Sequence, residues 1–341
     1  MMKYPHYYYG MSKPIYKSFC LILLVLLAGC QTALTGNLTK EAPHEKTEQP
    51  MVYFCPKSNC SSVLENSITS ANKSVHCAIY DLNLKNIISA LSEKRVGVDV
   101  RVVMDGDNFK GQLERKGVEL DDNIQLMHNK FCVIDDSLVL TGSFNPTEND
   151  NTKNNNNLVV LHSDYLAKNY ENEFLELWKG NFAGRSKSLN PVVYMNDLKI
   201  ENYFCPADCG FEFAGLIRNA QNSIEVAAFT FTSEKVADEL IKAQSRGVNV
   251  TILIEKRQRN VINSQYERLK GFGMQVKLDG NKYNMHHKFI IIDGKIVLTG
   301  SPNFTFSGFH KNAENVLIIH DEGIASKYND EFNSVFDLGT A

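Results

Sequence analysis

MHNKFCVIDDSLVLTGSFN, Met127 to Asn145, sets one histidine and one lysine at the head of an apolar run rich in strand formers. The run MHHKFIIIDGKIVLTGSPN, Met285 to Asn303, repeats the histidine, lysine, aspartate, Gly-Ser pair and asparagine at identical offsets. Successive side chains of a strand point to opposite faces, so His128 and Lys130 share one face, as do His286 and Lys288, while Asn129 and His287 point away. A lone histidine in a strand is ordinarily a satisfied core or edge residue. Two copies, each with a same-face lysine and the same downstream asparagine, read instead as a site. LTGSFN and LTGSPN return the chain through Gly142 and Gly300, where backbone N–H groups and short polar side chains approach an anion closely.

The duplication reaches beyond these runs. SVHCAIYDLNLKNIISALSEKRVGVDVRVVMD from Ser74 parallels SIEVAAFTFTSEKVADELIKAQSRGVNVTILIE from Ser223, and both read as strand, helix, glycine turn, strand. A period this long means domain duplication, not a solenoid. The expected fold is α/β: two similar domains, 51–188 and 189–341, each with a central, mostly parallel β-sheet flanked by helices.

The two runs resemble the signature of the phospholipase D superfamily, H-x-K-x4-D-x6-G-S-x-N. His128, Lys130, Asp135, Gly142, Ser143 and Asn145 fill every fixed position, and so do His286, Lys288, Asp293, Gly300, Ser301 and Asn303. The resemblance implies domains related by a pseudo-twofold axis, one composite active site between them, and work on phosphodiesters without a metal or other cofactor. The residue inventory suits that chemistry. Lys130 and Lys288 neutralise the phosphodiester charge, and Asn145 and Asn303 supply amide donors. One imidazole attacks phosphorus while the other protonates the leaving oxygen and then activates water. Ser143 and Ser301 are supporting residues. Asp135 and Asp293, between a strand and a turn, are expected to be local hydrogen-bond partners and not acid–base groups.

In the family a glutamate further along reaches the second ring nitrogen of the histidine. Equal steps from the two histidines reach Glu314 in HKNAENVLII and Asn156 in TKNNNNLVVL. The bland account of Asn156 is drift in an asparagine-rich loop. The functional account pairs each with the histidine of its own half. A carboxylate raises an imidazole pKa and an amide does not, which makes His128 the expected nucleophile and His286 the expected general acid.

With 341 residues, 43% apolar and 22% charged, the chain has an ordinary globular balance. Its formal charge of -3 is not that of a protein built chiefly to track a nucleic-acid backbone. Lys13 and Lys17, then an apolar run from Phe19 to Leu27 too short to span a bilayer, describe an export signal over residues 1–30. LAGC, ending at Cys30, resembles the lipobox of bacterial lipoproteins. That implies a lipidated Cys30, a lipid-anchored protein of the cell envelope, and the outer membrane in a Gram-negative cell. Residues 31–50 are polar, aperiodic and expected to be a flexible tether. Cys20 leaves with the signal. Export favours local disulfides Cys55–Cys60 and Cys205–Cys209, with a zinc site built from both pairs as the alternative. Cys77 and Cys132, in apolar runs, are expected to be inert core thiols. The motifs name a bond, not a molecule. Membrane tethering favours a phospholipid headgroup, whereas the short halves resemble small nucleases, so DNA or RNA cleavage and phosphatidyl transfer stay open, as does phosphate binding without turnover. No obligatory protein partner is evident.

Overall fold

Runs of β-branched and apolar residues supply sixteen strands among the described residues, and amphipathic stripes supply the helices that cover them. The computed structural model describes residues 41–182, 187–207 and 209–340, together with Gly10. The expected signal peptide, with Cys20 and Cys30, lies outside the described residues, as does the first part of the expected tether. From Ala42 onward the chain belongs to one folded unit. The later part of that tether is therefore corrected: β1 (His44–Glu45) pairs in parallel with Tyr194 and Met195, and the Glu45 carboxylate accepts from the Asp164 backbone N–H.

The first half builds a seven-stranded sheet from β2 (Met51–Cys55), β3 (Ser74–Ile79), β4 (Asp99–Asp105), β5 (Val118–Asp121), β6 (Lys130–Ile134), β7 (Leu138–Gly142) and β8 (Asn156–His162), ordered β2-β8-β7-β6-β3-β4-β5. The second half builds β9 (Val192–Met195), β10 (Leu198–Cys205), β11 (Ser223–Ala228), β12 (Asn249–Ile254), β13 (Gln275–Leu278), β14 (Lys288–Ile292), β15 (Ile296–Gly300) and β16 (Glu314–His320). With β1 they form a nine-stranded sheet, β1-β9-β10-β16-β15-β14-β11-β12-β13. Both sheets are mixed, which corrects the expectation of mostly parallel ones. A helical crossover makes β3 and β4 parallel and the mostly irregular 106–117 segment brings β5 in parallel to β4, but the hairpin between β6 and β7 and the return into β8 are antiparallel, as is β2 on β8.

Helices Cys60–Ser70 and Lys85–Lys94 cover the outer face of the first sheet, and Cys209–Asn219 and Glu234–Ser245 that of the second. Between the sheets one core joins both halves, carried by helices Asp164–Trp178 and Glu322–Phe336. The contacts are reciprocal. Phe54 of β2 packs edge-on against Tyr328 of the second half, and Phe204 of β10 against Tyr170 of the first.

Cys55–Cys60 and Cys205–Cys209 are disulfides. Cys77 and Cys132, expected as free thiols, are a third, which is a correction. β3 and β6 run antiparallel with these residues directly opposite, Cα to Cα 4.1 Å. Alternation within each strand was legible, but the cross-strand register that joins them was not.

Candidate active site

Each motif histidine ends a loop and each motif lysine begins a strand, β6 or β14, at the same end of its sheet. The Lys130 ammonium donates to the His128 carbonyl at 2.7 Å, and that of Lys288 to the His286 carbonyl at 2.8 Å. Tyr80 and Phe229 occupy equivalent places, each edge-on to a histidine ring and facing a lysine at 5.0 and 5.1 Å. Neither aromatic was singled out from the sequence, although each directly follows the first strand of its duplicated stretch, β3 or β11.

The glycines fold the chain tightly here. A Cβ on Gly142 would lie 2.3 Å from the Asn157 carbonyl oxygen, and one on Gly300 2.2 Å from that of Asn315. Both also hold φ near +145°, which disfavours other residues (141° and 148°). The hydroxyls beside them, Ser143 and Ser301, accept the backbone N–H of Asn157 and Asn315, each at 3.0 Å. Asp135 and Asp293 lie at the other end of β6 and β14. Each carboxylate accepts three backbone N–H groups, from Asn72, Lys73 and Ser74 or from Gln221, Asn222 and Ser223. Those bonds hold both carboxyls below the usual range despite some burial.

The histidine partners are crossed between halves. His128 Nδ1 lies 2.8–2.9 Å from the Glu314 carboxylate, and His286 Nδ1 lies 2.8 Å from Asn156 Oδ1. This overturns the pairing of Asn156 with His128 and of Glu314 with His286. Within one half β7 separates β6 from β8, so Asn156 starts a strand about two spacings, ~10 Å, from its own motif histidine. Across the interface, Met127 bridges Ala313 and Asn155 bridges Met285. His128 N–H donates to Ala313 and His286 N–H to Asn155, both at 2.9 Å, so each histidine meets the residue that follows its bridge.

Sequence reasoning also missed Asp150. It is buried, accepts both the backbone N–H (3.0 Å) and the carboxamide (2.8 Å) of Asn145, and reaches within 3.5 Å of His286 Nδ1. The equivalent step in the second half reaches Gly308, so the repeat gave no signal for it. Glu255, also unforeseen, accepts the Met285 N–H at 2.7 Å and so braces the residue before His286. The carboxamide oxygens of Asn145 and Asn303 are buried with no partner, unspent polar capacity at two motif positions.

Burial sets the electrostatics. It pushes the His128 imidazole down to about 4 against the pull of Glu314. His286 is pushed well below its usual value by burial and by the charges of Lys288 and Lys130, with no carboxylate partner comparable to Glu314. Lys130 falls to about 8 by burial, and Lys288 falls well below the usual lysine range by burial and by Lys130. Burial raises Glu314, but His128 and Lys130 outweigh it and keep the carboxyl ionised. Every one of these basic groups is shifted against its charged form, and an anion bound among them would raise each one again. Among the described residues no group of three or more His, Cys, Asp or Glu side chains is placed to hold a metal ion, and no helix is long and apolar enough to cross a membrane.

A family model described as cardiolipin synthase, PLD-like domain, matches residues 64–178 and 213–336. The chain is similar to the mitochondrial cardiolipin hydrolase of Xenopus tropicalis, 36% identical over 152 residues that cover 43% of this chain and 70% of that protein. It is similar to the phospholipase D of Rickettsia conorii, 38% identical over 123 residues, covering 36% of this chain and 62% of that protein. It spans 56% of the cardiolipin hydrolase of Xenopus laevis. A solved structure of phosphatidylserine synthase from Haemophilus influenzae Rd KW20 superposes with a TM-score of 0.65 over 85% of this chain and 86% of that one, at 14% identity, a likeness of fold.

Proposed function

The chain belongs to the cardiolipin synthase, PLD-like domain family, and we propose that it is a phospholipase D-type phosphodiesterase acting on the headgroup phosphodiester of a phospholipid. The observation that carries this reading is the crossed pair of imidazoles, each facing a lysine-rich interior, one backed by a carboxylate and the other by an amide. The crossing of the partners reverses the roles expected of the two histidines. His286, with Asn156 fixing its tautomer at 2.8 Å and the Asp150 carboxylate farther off at 3.5 Å and bonded to Asn145 and Asn154, keeps a free Nε2 lone pair and is the nucleophile. His128, whose imidazolium Glu314 stabilises, is the general acid.

In the first step His286 Nε2 attacks phosphorus, the bond from phosphorus to the headgroup oxygen breaks, and His128 gives that oxygen its proton. In the second, His128 takes a proton from water, the resulting hydroxide attacks phosphorus, and the phosphorus–nitrogen bond breaks to release phosphatidate. Lys130, Lys288, Asn145 and Asn303 stabilise the charge on the non-bridging oxygens. Incubating the full chain with headgroup-labelled phospholipid and, in parallel, with plasmid DNA tests the substrate class. Release of free headgroup supports the reading; release with an acceptor alcohol in place of water marks transfer, and DNA cleavage alone overturns it. Anchorage through a lipidated Cys30 is part of the proposal. Fatty-acid labelling that persists in Cys30→Ala would sink it.

A further inference from the structure

Large exposed apolar side chains sort by the ends of the sheets. Ile124, 93% exposed, lies on the loop after β5 that ends at His128; Ile262, 88% exposed, follows β12; Tyr283, 40% exposed, is on the loop after β13 that ends at His286; Phe306, 63% exposed, follows β15. All four therefore stand at the end of the sheets where the histidines lie. The second half adds a net excess of positive charge there, with Arg259 paired to exposed Glu267 and Arg257 to buried Glu255. Its loops 255–265, 279–285 and 301–313 carry exposed Lys256, Arg257, Arg259, Lys282 and Lys311, while their acids, Glu255 and Asp279, are 0% and 2% exposed. A basic face on a chain of formal charge -3 is an asymmetry with an electrostatic consequence.

The pieces are continuous. Arg257 donates to the Lys282 carbonyl at 2.7 Å, tying the Ile262 loop to the Tyr283 loop. Asn263 and Phe306 line one cleft of about 660 Å³, which joins the Ile262 loop to the Phe306 segment. The Leu126 N–H reaches Asn312, which joins the Ile124 loop to the same segment. Cations attend the aromatics: Lys153 lies 5.5 Å from the Tyr283 ring and Lys311 5.7 Å from that of Phe306. Acids are present as well, Asp122 beside Ile124 and Glu234 in the Phe306 cleft, but the second-half loops carry more exposed cations than exposed acids, and apolar tips among excess cations are the composition that enters the boundary between headgroups and acyl chains of an anionic bilayer. Single-stranded nucleic acid favours aromatic platforms on which bases stack, and the two most exposed of these tips are isoleucines, which have no such face.

We infer that this face docks the mouth of the site onto an anionic phospholipid bilayer, with Ile124, Ile262, Tyr283 and Phe306 entering the interface and the second-half cations meeting the headgroups. The inference rests on the phospholipid reading above and adds how the substrate is presented. The chain has one tryptophan, Trp178, so Phe306→Trp in the full chain supplies a local probe. With vesicles containing phosphatidylglycerol and acyl-brominated phospholipid, its emission should shift to the blue and be quenched beyond that of the parent chain. Ile124→Ser with Ile262→Ser should lower hydrolysis of vesicle lipid by about tenfold or more and leave turnover of bis(p-nitrophenyl) phosphate unchanged, because both residues are at the surface and outside the chemistry. Absence of added quenching, or vesicle hydrolysis unaffected by the double substitution, overturns the docking face. Quenching without hydrolysis of any phospholipid upholds the face and overturns the substrate reading. Loss of single-stranded DNA cleavage in the double variant, without quenching, assigns the face to nucleic acid instead.

Discussion

His128 Nδ1 meets a carboxylate and His286 Nδ1 meets an amide, so two rings with the same local sequence have different proton affinities. Glu314→Gln removes the charge that favours the His128 imidazolium, which lowers its pKa and moves the alkaline limb of the pH–rate profile to lower pH. The rate loss, roughly 10²-fold, should fall on poor leaving groups that need a proton and spare p-nitrophenyl esters. Asn156→Glu raises the pKa of His286 and holds more of the nucleophile protonated, so the acidic limb moves to higher pH for good and poor leaving groups alike. Rapid quench and peptide mapping should find phosphate on His286. Phosphate on His128 would restore the assignment that sequence alone suggested. Neither partner was legible as crossed, because equal sequence steps report position in a repeat and say nothing of which copy of the partner stands nearest in space.

Strand register does more than align the sheets. Cys55 lies opposite Asn156 on β8, and Cys205 opposite Glu314 on β16, so each short disulfide braces the strand neighbour of a histidine partner. The Cys77–Cys132 bridge closes a separation of 55 residues, against 5 and 4 for the others. By loop entropy it should contribute about 4 kcal/mol and each short bridge about 2 kcal/mol, so Cys77→Ala with Cys132→Ala should cost the most in urea unfolding. Equal losses from all three pairs would contradict this. On β10, Glu201 is raised by burial, but hydrogen bonds from His320, Lys199 and Tyr203 outweigh that and hold it at about 2. A carboxyl depressed from 4.5 in the folded state contributes stability above pH 4.5 and loses it as pH falls towards 2. Thermal unfolding of Glu201→Gln should therefore fall less steeply than that of the parent across this window. A parallel fall would show that the ion cluster contributes nothing there.

At the scale of the whole molecule, each half carries one motif histidine and the residue that meets the histidine of the other half. Either His128→Ala or His286→Ala should abolish turnover by several orders of magnitude, and the double variant should be little worse. Mixing the two single variants should restore nothing, since one site needs both halves of one chain; recovered activity on mixing would refute that. The paired motifs determined by themselves that the chain is duplicated, that each copy is an α/β unit, and that His128, Lys130 and Asn145 have counterparts in His286, Lys288 and Asn303, because alternation and spacing are local properties of the chain. Contacts in space were decided only by the tertiary structure: Glu314 on His128 and Asn156 on His286 between the copies, and Asp150 beneath Asn145 and Cys77 opposite Cys132 within the first. The physical reason is that strand order places β7 between β6 and β8, while the packing of the two sheets brings the start of β16 to the start of β6. A sequence records neither distance.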